Sequence, residues 1–254
     1  MSLNGQKCPL TNVPEWTEGV LMKKFLKYLI LLIFGVIIVG GSIITYQGYS
    51  MYKDAITETS IAEKIDEIKS ETENYTTYDK LPQNYINAIV AVEDRRYFEH
   101  NGVDFISISR AIITDIKEMK LAEGGSTITQ QLAKNTYFTQ KKELTRKIAE
   151  IFMAFDFEKE CTKEEILELY VNTMYFGDGY YCVYDAAEGY FNKKVEDMDL
   201  YECTLLAGIP NAPSVYAPTK NPELAKQRQA QVLYKMVRYN YLTQEEADKI
   251  YNAE

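Results

Sequence analysis

Gly124-Gly-Ser-Thr-Ile-Thr-Gln-Gln-Leu-Ala-Lys-Asn135 is the stretch around which the chain is organised. Two glycines allow a close backbone approach that side chains would block. Ser126 or Thr127 is placed to cap a helix whose first turn would point N–H groups at a ligand in front. That helix is polar in an unusual way. Thr129, Gln130, Gln131, Lys134 and Asn135 crowd two turns between a few apolar residues. An ordinary surface helix carries charges, whereas this one carries neutral hydrogen-bonders and one cation. Such a set suits a ligand with many hydroxyls and an anionic group. The plain alternative is a Gly-Gly turn and an amphipathic helix, and the neighbouring segments decide between them.

On the C-terminal side, residues 143–158 read as a strong helix carrying Arg146-Lys-Ile-Ala-Glu150. Thr162-Lys-Glu-Glu165 is a capping box that starts a helix running to Asn172. A Gly- and Tyr-rich loop covers 176–181, and a short helix follows through Ala186, Ala187 and Phe191. Residues 201–208 form an apolar helix that stops at Pro210. A proline-punctuated loop, 209–221, leads to a helix opened by Asn221-Pro222. Thr243-Gln-Glu-Glu246 caps the last helix.

On the N-terminal side, residues 117–123 connect into the glycine pair. Asp104 caps the helix before them, with Ile108, Ile112 and Ile116 facing inward. Pro82 opens an earlier helix whose apolar face is Ile86, Ile89, Val90 and Val92. It ends in Glu93-Asp-Arg-Arg-Tyr-Phe-Glu-His100-Asn-Gly102. No alternating strand pattern occurs, so the domain is expected to be nearly all helical.

Before this domain lies a long apolar run. Residues 28–46 contain no charge over 19 positions, and as a helix they would span about 28 Å, close to a bilayer's hydrocarbon core. The run is too long for a signal-peptide core and no Ala-x-Ala-like site follows it, so it reads as an uncleaved anchor. Lys23, Lys24 and Lys27 precede it and the next charge is Lys53, which places the N-terminus in the cytoplasm and the bulk of the chain outside. The expected organisation is a cytoplasmic tail (1–27), a transmembrane helix (28–48), a juxtamembrane stalk (49–80) and a helical domain (81–254). Ser50-Met-Tyr-Lys53 matches a Ser-x-x-Lys pattern but has no Lys-Thr-Gly partner, and reads as chance.

Charge narrows the function. The chain carries −9 overall, with +2 in residues 1–27 and −11 in the remainder, which argues against a nucleic-acid partner. A cationic site for phosphate must therefore be built locally. One histidine, His100, makes a histidine metal centre or a Ser-His-Asp triad improbable. No Cys-x-x-Cys pair occurs among Cys8, Cys161, Cys182 and Cys203. Three of these follow the apolar run, so at most one intramolecular disulfide can form there, and spacing does not choose the pair.

Two glutamates stand out, Glu93 and Glu150. Glu93 is followed by Arg95, Arg96 and His100, and Glu150 has Arg146 four residues before it. Either alone reads as an ordinary salt bridge. Beside a polar helix they suggest an acid/base carboxylate and a charge-stabilising site. Lys134, Lys142, Arg146 and Lys147 are the candidates to neutralise a phosphate-bearing leaving group.

In these residues the chain resembles the monofunctional peptidoglycan glycosyltransferases, or biosynthetic transglycosylases, of glycosyltransferase family 51. The resemblance covers roughly residues 81–240. Residues 93–102 resemble the family's first motif, Glu-Asp-x-x-Phe-x-x-His-x-Gly, and 124–135 reproduce the second. Residues 146–150 are the third, Arg-Lys-x-x-Glu; 163–172 are the fourth, and 205–213 resemble the fifth. Tyr97 stands at the usual Phe position, Val171 at a usual Leu, Cys182 and Asn192 at common glycines, and Lys142 where an Arg often binds pyrophosphate.

The resemblance implies an all-α, lysozyme-like fold with a small membrane-associated lobe around 104–121. It implies that lipid II is polymerised, with a growing glycan strand as donor. Glu93 would be the general base on the acceptor GlcNAc 4-hydroxyl. Lys134, Lys142 and Arg146 would receive the pyrophosphate, helped by a divalent cation, Mg or Mn, with no organic cofactor. Glu150 would organise these cations or the metal. Ser126, Thr127, Gln130 and Gln131 would hold sugar and phosphate oxygens, with Arg110 a further contact. His100 would be mainly structural, beside Glu93. Expected partners are lipid II, the nascent strand, the membrane and separate transpeptidases for cross-linking. Two rivals remain, a lysozyme-like glycan hydrolase and an inactive anchored scaffold of the wall-building complex.

Overall fold

The computed structural model describes residues 15–118, 124–138 and 144–252. The chain divides into two units, one ending at Gln47 and one running from Gly48 to Glu254. The first unit is the leading part of helix α1 (Glu15–Glu58). It supplies a helix long and apolar enough to cross a membrane. Its side chains lie open, with Leu32 65% and Ile37 64% exposed. A core helix of a soluble fold would bury them, so this helix matches the expected anchor.

Helices are the regular secondary structure of the second unit, with no strand among its described residues. Its first part includes the end of α1 and α2 (Ile61–Glu71), which Ser60 and Glu63 start with a reciprocal capping box. Ile61 is fully buried and Tyr52 nearly so. Residues 48–80 thus belong to the compact unit, although the sequence placed 49–80 in a separate stalk. One face of α2 turns inward, where Ile61 and Ile68 join the main core.

Two helical groups build that core. In one, α3 (Gln83–Glu93) packs on α9 (Leu200–Gly208) and α11 (Pro222–Arg238). In the other, α5 (Ile128–Tyr137) packs on α6 (Leu144–Glu160) and α7 (Lys163–Asn172). Tyr85 and Ile89 of α3, Leu132 of α5, Met153 and Phe157 of α6 and Tyr170 of α7 are 0–1% exposed. Burying each such side chain contributes about 1.5–3 kcal/mol before entropy is counted. The site sits where the two groups meet, because α3 delivers Glu93 and α6 delivers Glu150.

Around it, α4 (Phe105–Glu118) starts at Asp104, whose carboxylate accepts from the Ser107 amide at 2.8 Å. Phe105, Ile106 and Ile113 are exposed and Ile108 is half-buried. The side chains of Ile112 and Ile116 lie outside the described residues, as do 119–123. The chain closes with α8 (Val183–Phe191), the short α10 (Pro213–Tyr216) and α12 (Gln244–Asn252). Part of the loop expected at 209–221 is therefore helical, with Pro213 in the first turn of α10. Cys161, Cys182 and Cys203 are all free thiols. Burial pushes them up to about 11, 11 and 12 respectively.

Candidate active site

Glu93 ends α3 with its side chain 13% exposed. Gln131 Nε2 donates to Glu93 Oε2 at 2.9 Å, and the Tyr170 hydroxyl donates to Gln131 Oε1 at 3.0 Å. Two partners of opposite type decide which way the amide faces. Burial, with Glu93's charge adding to it, pushes the Tyr170 hydroxyl well above its ordinary range. It therefore stays a donor, and the relay Tyr170–Gln131–Glu93 holds one carboxylate oxygen in place.

Helix α11 supplies the other side. Arg228 Nη2 lies 3.7 Å from Glu93 Oε1, while its Nε donates to the Gly208 carbonyl at 3.3 Å. A Cβ at Gly208 would stand 3.0 Å from Arg228 Cγ, so a larger residue there would press on the Arg228 side chain. Lys235 Nζ donates to the Val92 carbonyl at 2.6 Å, one residue before Glu93. Burial lowers the Lys235 pKa and the charge of Glu93 opposes that. Sequence reading missed Tyr170, Arg228 and Lys235. A lysine and an arginine seven positions apart, on one face of a helix opened by Asn221-Pro222, were the available signal.

The cations expected beside Glu93 are engaged elsewhere. Arg96 pairs bidentately with Asp104. Arg95 lies over the Tyr239 ring at 5.3 Å. His100 Nε2 sits 2.9 Å from Asp94 Oδ2, so its hydrogen bond goes to Asp94. That same oxygen accepts the Ile128 amide at 3.1 Å, tying the first motif to the start of α5. Sequence proximity misled here because α3 ends at Glu93 and the chain turns away after it.

Glu150 stands on α6 with its side chain 2% exposed. Arg146 Nε is 2.9 Å from its Oε1, in an ion pair that falls short of an aligned hydrogen bond. Lys147 Nζ is 2.8 Å from Oε2 and also donates to Ser126 Oγ at 2.7 Å. Lys134 completes the group from α5. Burial lowers its pKa, as do Arg146 and Lys147, while Glu150 and Glu93 pull it upward. Lys134 thus stands in the fields of both glutamates. Two cations pair with the Glu150 carboxylate, and its field also reaches Lys134. A partly buried positive surplus is costly unless an anion arrives to offset it.

The polar helix that opened the sequence reading spends most of its groups on the fold. Thr127, not Ser126, is the N-cap, and Thr127 and Gln130 form a reciprocal capping box. Thr127 also donates to the Gly102 carbonyl at 2.6 Å. Both side chains are about 1% exposed and hold the start of α5, although Gln130 Nε2 has no hydrogen-bond partner among the described residues. Thr129 donates to Glu158 at 2.6 Å. Two of the α5 amides expected to face a ligand are taken, that of Ile128 by Asp94 and that of Gln130 by Thr127. Nor does the protein close on the glycine pair among the described residues. Gly124 has no neighbour within 4 Å of a built Cβ, and Gly125 meets only Ile108, at 3.7 Å. Ser126, Gln131 and Lys134 are the members of the stretch that reach the two glutamates and their cations.

Arg110 is exposed on α4, and no hydrogen bond or ion pair joins it to another described residue. Lys142 lies outside the described residues. No group of three His, Cys, Asp or Glu among the described residues could hold a metal ion. Both oxygens of Glu150 already face cations. A Mg or Mn ion at Glu150 would have to displace Arg146 or Lys147.

Comparison with known proteins bears on the whole second unit. The transglycosylase family profile matches residues 58–237. A Cupriavidus necator protein with a provisional transglycosylase name is 41% identical over 177 residues, covering 70% of this chain and 76% of that protein. Penicillin-binding protein 1A of Aquifex aeolicus is 44% identical over 178 residues, which are 70% of this chain but 24% of that protein. The chain therefore spans about a quarter of such penicillin-binding proteins. A crystal structure of penicillin-binding protein 1A from Haemophilus influenzae aligns over 50% of this chain and 16% of its own, at 27% identity and a TM-score of 0.36. That last overlap is too slight to bear on the fold. The sequence matches and the all-helical unit carrying these motifs agree: the chain belongs to the transglycosylase family, the peptidoglycan glycosyltransferases of glycosyltransferase family 51.

Proposed function

We propose that this glycosyltransferase polymerises lipid II, transferring the growing glycan from its polyprenyl pyrophosphate to the GlcNAc 4-hydroxyl of the next lipid II. The observation that carries the reading is the stretch around the start of α5, where Gln131 donates to Glu93 while Ser126 accepts from Lys147, the cation paired with Glu150. It joins a base and an anion site into one reaction centre.

The 4-hydroxyl oxygen attacks the anomeric carbon of the donor MurNAc. Glu93 takes its proton, and the Tyr170–Gln131 relay keeps the carboxylate aimed. The bond to pyrophosphate breaks on the opposite face, so the centre inverts and a β-1,4 link forms. Pyrophosphate leaves as an anion without needing a strong acid. Lys134, Arg146 and Lys147 receive the developing charge, and Glu150 holds the latter two in place. Ser126, bonded to Lys147, borders the same group.

The apolar helix keeps the enzyme in the bilayer that holds its lipid substrate, which raises the local concentration of that substrate. The lysines before residue 28 favour a cytoplasmic N-terminus and an outward catalytic unit. Cross-linking then falls to transpeptidases in the same wall-building machinery. A glycan hydrolase would also use carboxylates, but has no use for a pair of cations beside one of them.

The test is polymerisation of fluorescently labelled lipid II by the detergent-solubilised full chain, beside Glu93→Gln. A ladder of glycan polymers, lost in the variant, is the expected result. A folded wild type that makes no polymer would point to the scaffold, and cleavage of preformed glycan would point to the hydrolase.

A further inference from the structure

The back of α6 carries an arrangement that the chemistry above does not use. At about 100° per residue, Arg146, Lys147 and Glu150 share one side of the helix, and Ile148, Phe152 and Asp156 line the opposite side. The second row meets the end of α1. A Cβ built on Gly48 would lie 2.5 Å from Ile148 Cβ and 2.7 Å from the Thr145 carbonyl oxygen. The Phe152 ring sits 5.2 Å from that of Tyr49 and 5.6 Å from that of Tyr52. The Tyr52 hydroxyl donates to Asp156 in a short hydrogen bond. Burial leads the causes that raise the Tyr52 pKa, and Asp156 adds to it, so the hydroxyl remains a donor.

We propose that Gly48 and Tyr52 are positioning residues for glycosyl transfer, fixing α6 from behind so that its charged row keeps its place. The inference rests on reading that row as the pyrophosphate site. Gly48 acts by being small, since any side chain meets backbone as well as Ile148. Tyr52 acts by joining its ring to Phe152 and its hydroxyl to Asp156, one turn further along α6. Neither residue belongs to the charged row itself. Residues 48–58 therefore serve the reaction as well as following the apolar span.

The experiment uses the full chain in detergent with two variants, Gly48→Ala and Tyr52→Phe. Three quantities are measured on each: lipid II polymerisation, calorimetric binding of inorganic pyrophosphate, and hydrogen exchange of the amides at 144–150. Gly48→Ala is expected to slow turnover about 10- to 100-fold, the scale of a group displaced by roughly an ångström. Pyrophosphate binding weakens and exchange at 144–150 quickens with it. Tyr52→Phe, which keeps the aromatic packing, moves all three the same way by a smaller factor, about threefold. It also decides the matter should Gly48→Ala not fold. Glu93→Gln is the reference, losing turnover while pyrophosphate binding and exchange stay as in wild type. Turnover unchanged in both variants overturns the proposal. So does turnover that falls with pyrophosphate binding and exchange unmoved. A wild type that binds pyrophosphate but makes no polymer defeats the lipid II reading instead, and the binding and exchange data still decide the role of Gly48 and Tyr52.

Discussion

The carboxylate that ends α3 and the one in the middle of α6 are held in opposite ways. Glu93 takes one hydrogen bond from a neutral amide, and its nearest cation, Arg228, stands at 3.7 Å. Glu150 has a cation within 3 Å of each oxygen. The first carboxylate keeps a lone pair free to accept a proton. The second is neutralised and leaves positive charge over for something else. One residue type can perform two tasks when its neighbours differ, and under the proposed function the base is Glu93 and the anion site is on α6.

The comparison breaks most visibly at the base. Glu93→Gln should cut polymerisation by about a thousandfold, within the range for a lost general base, while pyrophosphate binding holds. Equal loss of both in titration would mean that the two regions are not separate. Next in size is Lys134→Ala, expected to lower turnover about a hundredfold, as loss of one preorganised charge does, with weaker pyrophosphate binding. Lys134 also sharpens the comparison through pH. Its pKa is lowered, by burial first, so its charge is lost at lower pH than that of an ordinary lysine. The alkaline limb of the rate profile should follow that loss. Lys134→Arg, whose guanidinium stays charged, should push the limb upward. The sign for stability runs the other way, because a cation disfavoured in the folded state costs stability at low pH and ceases to as pH rises.

Smaller still is Tyr170→Phe. Losing the hydroxyl frees the Gln131 amide to turn, a loss of about 1 kcal/mol of alignment or roughly fivefold in kcat, with KM little changed. A fall confined to KM would sink the relay. Least for chemistry is Thr127→Ala, which removes the α5 cap and should cost about 1 kcal/mol of stability, read by denaturant unfolding. Its KM for lipid II should stay put. A large KM effect would place Thr127 among the substrate contacts.

Much of the fold was legible because helix signals are local. Capping boxes at Thr162 and Thr243 and the Asn221-Pro222 start all appear where the sequence placed them. The apolar span was equally plain. What could not be read was the use made of polar side chains. Thr127, Thr129 and Gln130 looked like ligand groups, yet each satisfies a buried partner inside the protein. A sequence shows a hydroxyl or an amide but not whether a distant segment has already claimed it. The same blindness hid Arg228, which reaches Glu93, and Lys235, which reaches the Val92 carbonyl beside it, across more than a hundred residues of chain. It also made residues 49–80 look like a stalk, since the buried face of α2 needs α6 and α7 to exist.

The three thiols of the second unit carry a practical meaning. A group with a pKa of about 11 is thiolate in only about one part in ten thousand at neutral pH, and thiolate is the reactive form. Cys161, Cys182 and Cys203 will therefore be slow toward maleimides and slow in disulfide exchange. Once Cys8 is replaced, a cysteine introduced at exposed Leu144, 72% open at the head of α6, could carry a fluorescent probe with the native thiols left as they are. The protein would then report on its own anion site by colour.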